Sequence, residues 1–307
     1  MFEIITSKTI TQITMCVSNI LTESVDWKRL ENLVHLDLSY RKPTVDDLRE
    51  LNHHIDFTFR RCPIIRLDSL TKRIQHLALC DITVNADGLS FDGDCRFPAL
   101  KYLSFTPTDQ GIRGSNSIAL QYFCKNSPEL EHICFNGYFC NSGEWTIEED
   151  DRTLNNSVSD EIIARSIGPP ENLPSLRKLE LQHWTLDDHY DEVWEMLGAM
   201  SRNEGKNVEE LSLMLDLFDY SHLYDVINGN FKLKKLELSR EDIKMNHIRC
   251  LVHLLNCEHE IQELFLDCTW HENRHGKGWP RDLWEPIKRD QFPKFIEHLK
   301  QIIKNEE

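Results

Sequence analysis

The chain has 307 residues and a formal net charge of −16 at pH 7, with 40% hydrophobic and 28% charged residues. Its acidity argues against general binding to nucleic acids or anionic membranes, because phosphate groups require a basic surface, and it favours partners with basic surfaces. The ten cysteines are scattered as in reduced proteins, and neither a signal peptide nor an apolar run of about 18 residues is evident, so the sequence predicts a cytosolic and/or nuclear protein without a membrane segment.

Residues 1–30 predict an amphipathic helix. Ile13, Cys16, Val17 and Ile20 recur at spacings of three and four residues, which places them on one apolar stripe. We expect this helix to cover the open end of the repeated segments that follow, because a stack of repeats needs a cap against water.

A single template, apolar-x-x-apolar-x-apolar, recurs eight times after residue 30. Its copies begin at the following residues: Leu33, Ile74, Leu100, Leu130, Leu176, Val208, Leu233 and Ile261. Side chains alternate between the two faces of an extended segment, so the fourth and sixth positions of each copy point to one side. The pattern is that of the strand in a leucine-rich repeat.

Helical segments separate the strands. The helix before Leu130 ends at Asn126-Ser127-Pro128, where proline prevents continuation, and the next strand begins two residues later. The sequence therefore predicts an α/β leucine-rich-repeat solenoid of eight or nine repeats over residues 31–285, with a curved parallel sheet on the concave side and helices on the convex side.

Three stretches depart from this regular unit. The long interval from Leu33 to Ile74 contains a degenerate strand around 63–67, and an acidic, turn-rich insertion lies near residues 141–158. Residues 286–307 predict a C-terminal capping helix, with Phe295, Ile296 and Leu299 on its apolar stripe.

The third and fifth template positions line the face of the sheet opposite the leucines. The candidates for partner binding on this face are His35, Asp37, His76, Tyr102, His132, Glu180, Glu210, Glu237, Glu263 and Phe265. The histidines and the tyrosine form a recognition strip in the N-terminal half, and the glutamates, accompanied by Lys178 and Lys235, suit a basic partner. The alternative is a solvated sheet face with no dedicated ligand.

No catalytic residue, metal site or cofactor site is predicted. Cys257, His259, Cys268, His271 and His275 include the right ligand types for zinc but lack a paired motif. A nucleophilic cysteine is disfavoured as well, since Cys124 and Cys134, the latter near His132, lie in an acidic chain without an electropositive pocket. The sequence predicts a protein that is not an enzyme.

The segment 11–20 resembles the elongin C-binding box of cullin ubiquitin-ligase receptors. That box runs Ser/Thr-Leu-x-x-x-Cys-x-x-x-aliphatic; Thr11, Cys16 and Ile20 match it, and Gln12 stands where leucine is usual. With the repeats, the chain resembles the leucine-rich-repeat part of Zyg/Zer-type receptors, without their armadillo-like part. The resemblance implies a docking helix for elongin C, placing Thr11, Cys16 and Ile20 against the adaptor.

Two functions are therefore expected from the sequence. The first is a non-catalytic substrate receptor or adaptor of an elongin-type cullin ubiquitin ligase, monomeric alone, with elongin C, a cullin and a substrate as partners. The second is an acidic leucine-rich-repeat scaffold, unrelated to ubiquitin, that binds a basic protein through its glutamates.

Overall fold

The computed structural model describes residues 10–17, 30–40, 64–66, 73–80, 83–85, 97–106, 122–136, 173–184, 208–215, 232–240, 245–268 and 286–306, together with Leu197, Leu223 and Ile227. Its strands are β1 (Gln12–Val17), β2 (His35–Tyr40), β3 (Ile64–Arg66), β4 (His76–Cys80), β5 (Thr83–Asn85), β6 (Tyr102–Thr106), β7 (His132–Asn136), β8 (Lys178–Trp184), β9 (Glu210–Leu215), β10 (Lys235–Arg240), β11 (Glu263–Cys268) and β12 (Ile287–Lys288). The helices that the structure describes from end to end are α1 (Met245–Asn256) and α2 (Phe292–Glu306).

The fold is a mixed α/β arrangement built on an open sheet of ten strands. The strand order is β1-β2-β4-β6-β7-β8-β9-β10-β11-β12, and β3 pairs with β5 in a separate two-stranded sheet. Every neighbouring pair from β1 to β11 is parallel, while β12 lies antiparallel to β11. The eight copies of the sequence template thus become eight adjacent strands of one sheet.

A repeated backbone hydrogen bond sets the register of these strands. The N–H groups of Val34 and His35 both donate to the carbonyl of Thr11, at 2.8 and 3.0 Å. In each later parallel strand, the N–H groups of the second and third template positions likewise both donate to the carbonyl of the second position in the strand before it. Equivalent residues of successive copies therefore lie side by side across the sheet.

The apolar template positions form the core. In β2 and the residues before it, Leu33, Leu36 and Leu38 are fully buried, and their equivalents in the other strands belong to the same cluster. Ile248 and Leu251 of α1 join this cluster, so the helix packs on the leucine side of the sheet. The side chains of the third and fifth positions are left on the opposite face.

The helix predicted for residues 1–30 is wrong over residues 12–17, the part of it in which the structure describes an element. Gln12–Val17 forms strand β1, which pairs in parallel with β2, and Ile13 packs against the core. Ile10, Ile13 and Met15 fit the strand template, so this segment is a ninth copy that the helical spacing of Ile13, Cys16 and Val17 concealed. As a strand beside β2, this segment forms backbone hydrogen bonds with the sheet that a helix in the same place would not form.

The C-terminal end of the sheet differs from the rest. The helix predicted after Pro293 spans Phe292–Glu306 as α2, with Leu299 fully buried in the core. A 3-10 turn (Arg289–Gln291) leads into it, and the side-chain oxygen of Gln291 accepts a 2.9 Å hydrogen bond from the N–H of Lys288. The short antiparallel β12 pairs with the edge of the last parallel strand, and α2 packs against α1.

Other predicted elements are described in part. The helix before Leu130 is present over 122–126 and ends before Pro128, as its sequence predicts. The degenerate strand near 63–67 is β3, but it pairs with β5 and does not enter the main sheet. The helix predicted to start at Thr44 and the insertion near 141–158 lie outside the described residues. No helix in the described part of the chain is long and apolar enough to cross a membrane.

Candidate functional site: the outward face of the sheet

The third and fifth template positions form two parallel rows on one face of the sheet. The third-position row runs Gln12, His35, His76, Tyr102, His132, Lys178, Glu210, Lys235, Glu263 and ends at Lys288 of β12. The fifth-position row runs Thr14, Asp37, Ala78, Ser104, Cys134, Glu180, Ser212, Glu237 and Phe265. We call these two rows the outward face. All the residues predicted to bind a partner on this face lie in them.

Four neighbouring residues of the third-position row form a ladder of rings, which we call the histidine strip: His35, His76, Tyr102 and His132. The rings of His35 and His76 stack with centroids 3.9 Å apart and planes 10° apart, and those of His76 and Tyr102 stack at 4.1 Å and 5°. Tyr102 then meets His132 edge to face at 4.6 Å. Adjacent strands lie about 4.8 Å apart, so identical register brings these rings into contact.

The surroundings of the strip keep its central rings uncharged. Burial, together with the neighbouring imidazole of His35, lowers the pKa of His76, although the Asp37 carboxylate acts in the opposite direction. Burial raises the pKa of Tyr102, and it outweighs a hydrogen bond with Ser104 that acts to lower this pKa. At neutral pH the centre of the strip is therefore a stack of neutral, polar rings.

The strip ends on a hydrogen-bonded carboxylate. The Nε2 atom of His132 lies 3.0 Å from Oε1 of Glu180, and the ammonium group of Lys178 contacts the same oxygen. Burial alone would raise the pKa of Glu180, whose side chain is 14% exposed, but the hydrogen bonds with His132 and Lys178 outweigh it and lower the pKa to about 2. Glu180 is thus an anion that its own neighbours already neutralise.

The two cysteines discussed as nucleophiles are held as thiols. Burial, followed by the nearby Glu180 carboxylate, raises the pKa of Cys134 to about 12. Burial by itself raises the pKa of Cys124 to about 12. Since the thiolate is the nucleophilic form, neither environment activates a cysteine.

The C-terminal half of the outward face carries alternating charges. From β8 to β12 the third-position row reads Lys178, Glu210, Lys235, Glu263 and Lys288. Opposite charges on directly paired positions stabilise a sheet, and like charges there destabilise it. The predicted acidic surface therefore contains a lysine on every second strand, so Glu210 and Glu263 each lie between two lysines.

The same cross-strand pairing occurs at the second template position. Lys101 and Glu131 form an ion pair of 3.0 Å between the starts of β6 and β7, and Lys234 and Glu209 form another of 3.0 Å between β10 and β9. The charges beside the outward face thus pair with one another across adjacent strands, and little of the chain's net charge of −16 resides there.

The residues predicted to dock an adaptor do not form a described helical face. Thr11 precedes β1, and its carbonyl accepts the hydrogen bonds that begin β2. Cys16 lies in β1 opposite Ser39, and Ile20 lies outside the described residues.

The residues considered for zinc divide between two places. Cys257 and His259 line a surface groove of about 460 Å³ between the end of α1 and α2, where the Cys257 thiol donates to the carbonyl of His253 at 3.2 Å. Cys268 ends β11, while His271 and His275 lie outside the described residues. Among the described residues, no group of three or more histidine, cysteine or acidic side chains is placed to hold a metal ion.

A comparison with protein-family models finds none that matches this chain, and a comparison with curated proteins finds no significant match.

Proposed function

We propose that this chain is a non-catalytic protein-interaction module whose sheet, helices and repeats form a leucine-rich-repeat solenoid. One observation carries the proposal: equivalent residues of nine parallel strands stand in continuous rows on a face that the described helix α1 does not cover. Stacked repeats of this kind present an extended surface suited to another macromolecule. In this proposal the outward face is the concave side and the helices lie on the convex side.

The histidine strip is the part of that face best suited to contact. Interface cores are depleted of charge and enriched in tyrosine and other aromatic residues, whereas charges already paired within one chain add little on binding. The centre of the strip, His76 and Tyr102, is uncharged and aromatic, while Lys178 and Glu180 on β8 carry paired charges. The high thiol pKa values of Cys124 and Cys134 support a binding role over a catalytic one.

The receptor of an elongin-type cullin ubiquitin ligase is a narrower form of this proposal. Its support is the resemblance of Thr11, Cys16 and Ile20 to an elongin C-binding box, together with the repeats. The strand conformation of Gln12–Val17 argues against docking of this segment as a helix. Co-purification with elongin C tests this form, and Cys16→Asp is expected to abolish it; elongin C binding that survives Cys16→Asp would contradict the assigned docking residues.

The acidic scaffold is the alternative. The net charge of −16 supports attraction of a basic protein, but Glu180, Glu210 and Glu263 are accompanied by Lys178 and Lys235 on the same face. A basic partner bound through these glutamates would have to displace or avoid those lysines. This alternative therefore receives less support from the C-terminal half than the acidic composition suggests.

Comparative affinity purification tests the interaction module. Tyr102→Ala removes the central ring of the strip, while Lys294→Ala changes an exposed residue of α2 and serves as the matched control. We expect partners bound by the unmodified chain and by Lys294→Ala to be lost with Tyr102→Ala, and direct binding of a purified partner to weaken by about tenfold or more. An identical set of partners, bound with equal affinity by all three proteins, would refute the proposed face.

A further inference from the structure

The N-terminal half of the outward face holds hydrogen-bond acceptors and one fixed negative charge. The third and fifth positions of β1, β2, β4 and β6 contain no lysine or arginine, and their one carboxylate is Asp37. Asp37 lies on β2 two residues after His35 and is directly paired with Ala78. It acts electrostatically on His76, so it is close to the stacked pair of imidazoles.

The stacked rings direct their edges, not their faces, away from the sheet. With His76 sandwiched between His35 and Tyr102 at 3.9 and 4.1 Å, both faces of its imidazole are occupied by neighbouring rings. A neutral imidazole retains one nitrogen that accepts a hydrogen bond, and the phenol oxygen of Tyr102 also accepts. The rings of His35, His76 and Tyr102 repeat at the spacing of adjacent strands, and the Asp37 carboxylate lies on the same strand as His35.

We propose that this half of the outward face binds a basic segment of a partner protein, through an arginine or lysine side chain placed against Asp37 and the rings of His35 and His76. The inference rests on the proposed interaction function. Guanidinium and ammonium groups have several donors and no acceptor, so they need a cluster of acceptors such as this one. The net charge of −16 attracts such a segment over a longer distance, whereas the carboxylates of the other half already have Lys178, Lys235 and Lys288 beside them.

Binding of this kind weakens on acidification. Protonation of His76 removes an acceptor and places a positive charge where the partner's cation must lie. The groups near the stacked imidazoles of His35 and His76 are Asp37 on β2, Tyr102 on β6 and His132 on β7. Strand β1 adds the uncharged side chains of Gln12 and Thr14. At the strand starts, Arg73 is hydrogen-bonded to Asn32, and Lys101 forms an ion pair with Glu131. Of these groups, the Asp37 carboxylate favours protonation of His76, whereas the imidazoles of His35 and His132 disfavour it.

Two labelled dodecapeptides, one of alternating arginine and serine and one of alternating glutamate and serine, provide the probe. We would measure their binding to the full chain by fluorescence anisotropy at pH 7.5 and 5.5, and follow the imidazole resonances of His35 and His76 by NMR. The arginine peptide is expected to shift both resonances at pH 7.5 and to bind severalfold more weakly at pH 5.5.

Three variants separate a local site from general attraction. Asp37→Asn is expected to weaken binding of the arginine peptide at pH 7.5 by about tenfold, whereas Glu237→Gln, which removes the same charge from the distant half of the face, changes it by less than about twofold. The double variant His35→Asn/His76→Asn keeps side-chain acceptors but cannot titrate, so its affinity should vary little between the two pH values. Circular dichroism checks that each variant is folded.

Several outcomes would overturn the inference. They are equal losses from Asp37→Asn and Glu237→Gln, a pH dependence that survives in the double histidine variant, and unshifted His35 and His76 resonances. If the glutamate peptide shifts these resonances instead, the face binds a partner of the opposite charge, and the interaction module stands while the basic segment is refuted. Failure of the interaction module itself is read independently from the Tyr102→Ala purification.

Discussion

Glu180 connects the middle of the outward face through one carboxylate. It accepts hydrogen bonds from His132 on the neighbouring strand and from Lys178 on its own strand, and its charge also raises the pKa of Cys134. For Lys178, burial would lower the pKa, but the hydrogen bond to Glu180 and the nearby carboxylates of Glu210 and Glu237 raise it. Removing the carboxylate therefore leaves several half-buried groups without their main electrostatic partner.

Glu180→Gln is expected to lower the free energy of unfolding at pH 7 by about 1–3 kcal/mol, because it removes charged hydrogen bonds from a largely buried site. The folded-state pKa of Glu180 is depressed to about 2, so its stabilisation is full above the unfolded value of 4.5 and is lost as the pH falls toward 2. Urea unfolding at pH 7 and at several lower pH values is the measurement. The difference in free energy of unfolding between the unmodified chain and Glu180→Gln should shrink as the pH falls.

The control for this experiment is Glu297→Gln, which removes an exposed ion pair of α2 with Lys300. It should change stability by no more than about 0.5 kcal/mol at any pH. A Glu180 effect equal to that of Glu297, or one that grows on acidification, would contradict the role assigned to this carboxylate.

Cys134 is expected to resist alkylation in the folded chain, because a pKa of about 12 leaves almost no thiolate at pH 8. Its reaction with iodoacetamide should be at least about a hundredfold slower in the native protein than in urea. Mass spectrometry of the peptide that contains Cys134 measures both rates, and similar rates in the two states would show that the site is open and activated.

At the scale of elements, β1 shows how far local pattern determines structure. Ile10, Ile13 and Met15 match the strand template, while Ile13, Cys16 and Val17 match helical spacing equally well. A segment of this length cannot be assigned from periodicity alone. Pairing with β2 favours the strand, because the N–H groups of Val34 and His35 gain an acceptor from Thr11.

Ile13→Asp is expected to destabilise the protein by about 2 kcal/mol or more, because Ile13 packs against the core and a carboxylate there would lose solvation. Gln12→Asp, at the exposed adjacent position of the same strand, should change stability by about 0.5 kcal/mol or less. Thermal unfolding of both variants measures the difference. Equal effects would indicate that residues 12 and 13 do not face opposite sides of a sheet.

For the molecule as a whole, the eight strands and their outward rows could be predicted, because each follows from alternation within a few residues. The stacking of His35, His76 and Tyr102 could not, since it depends on side-chain rotamers as well as on register. The antiparallel β12 has two residues and no periodic pattern. The sequence places Lys178 and Glu180 two residues apart on one face of a strand. It does not show that the two side chains are in contact, or that this contact helps to lower the pKa of Glu180.

The alternating charges of the third-position row give a prediction for the whole sheet. Lys235 lies between Glu210 and Glu263, so Lys235→Glu would place negative side chains on three adjacent strands. This variant should destabilise the protein by about 1 kcal/mol. Raising the salt concentration to about 0.5 M should reduce this loss, because exposed charges are screened. Urea unfolding at two salt concentrations is the measurement.

Lys294→Glu, on the exposed surface of α2, makes the same change in net charge and serves as the control. Its effect on stability should be smaller than that of Lys235→Glu at low salt. If both variants lose the same stability and respond equally to salt, total charge is responsible and the alternation within the row is not.

The shared carbonyl acceptor at the start of each strand makes the units interchangeable. In a unit inserted between two others, the two N–H groups at the start of its strand would donate to the carbonyl of the unit before it. Its own carbonyl at that position would accept from the two N–H groups of the unit after it. Such a chain can lengthen by internal duplication without any change elsewhere. Each added unit would extend both outward rows by one residue, so the reach of the surface toward a partner grows in steps of about 4.8 Å.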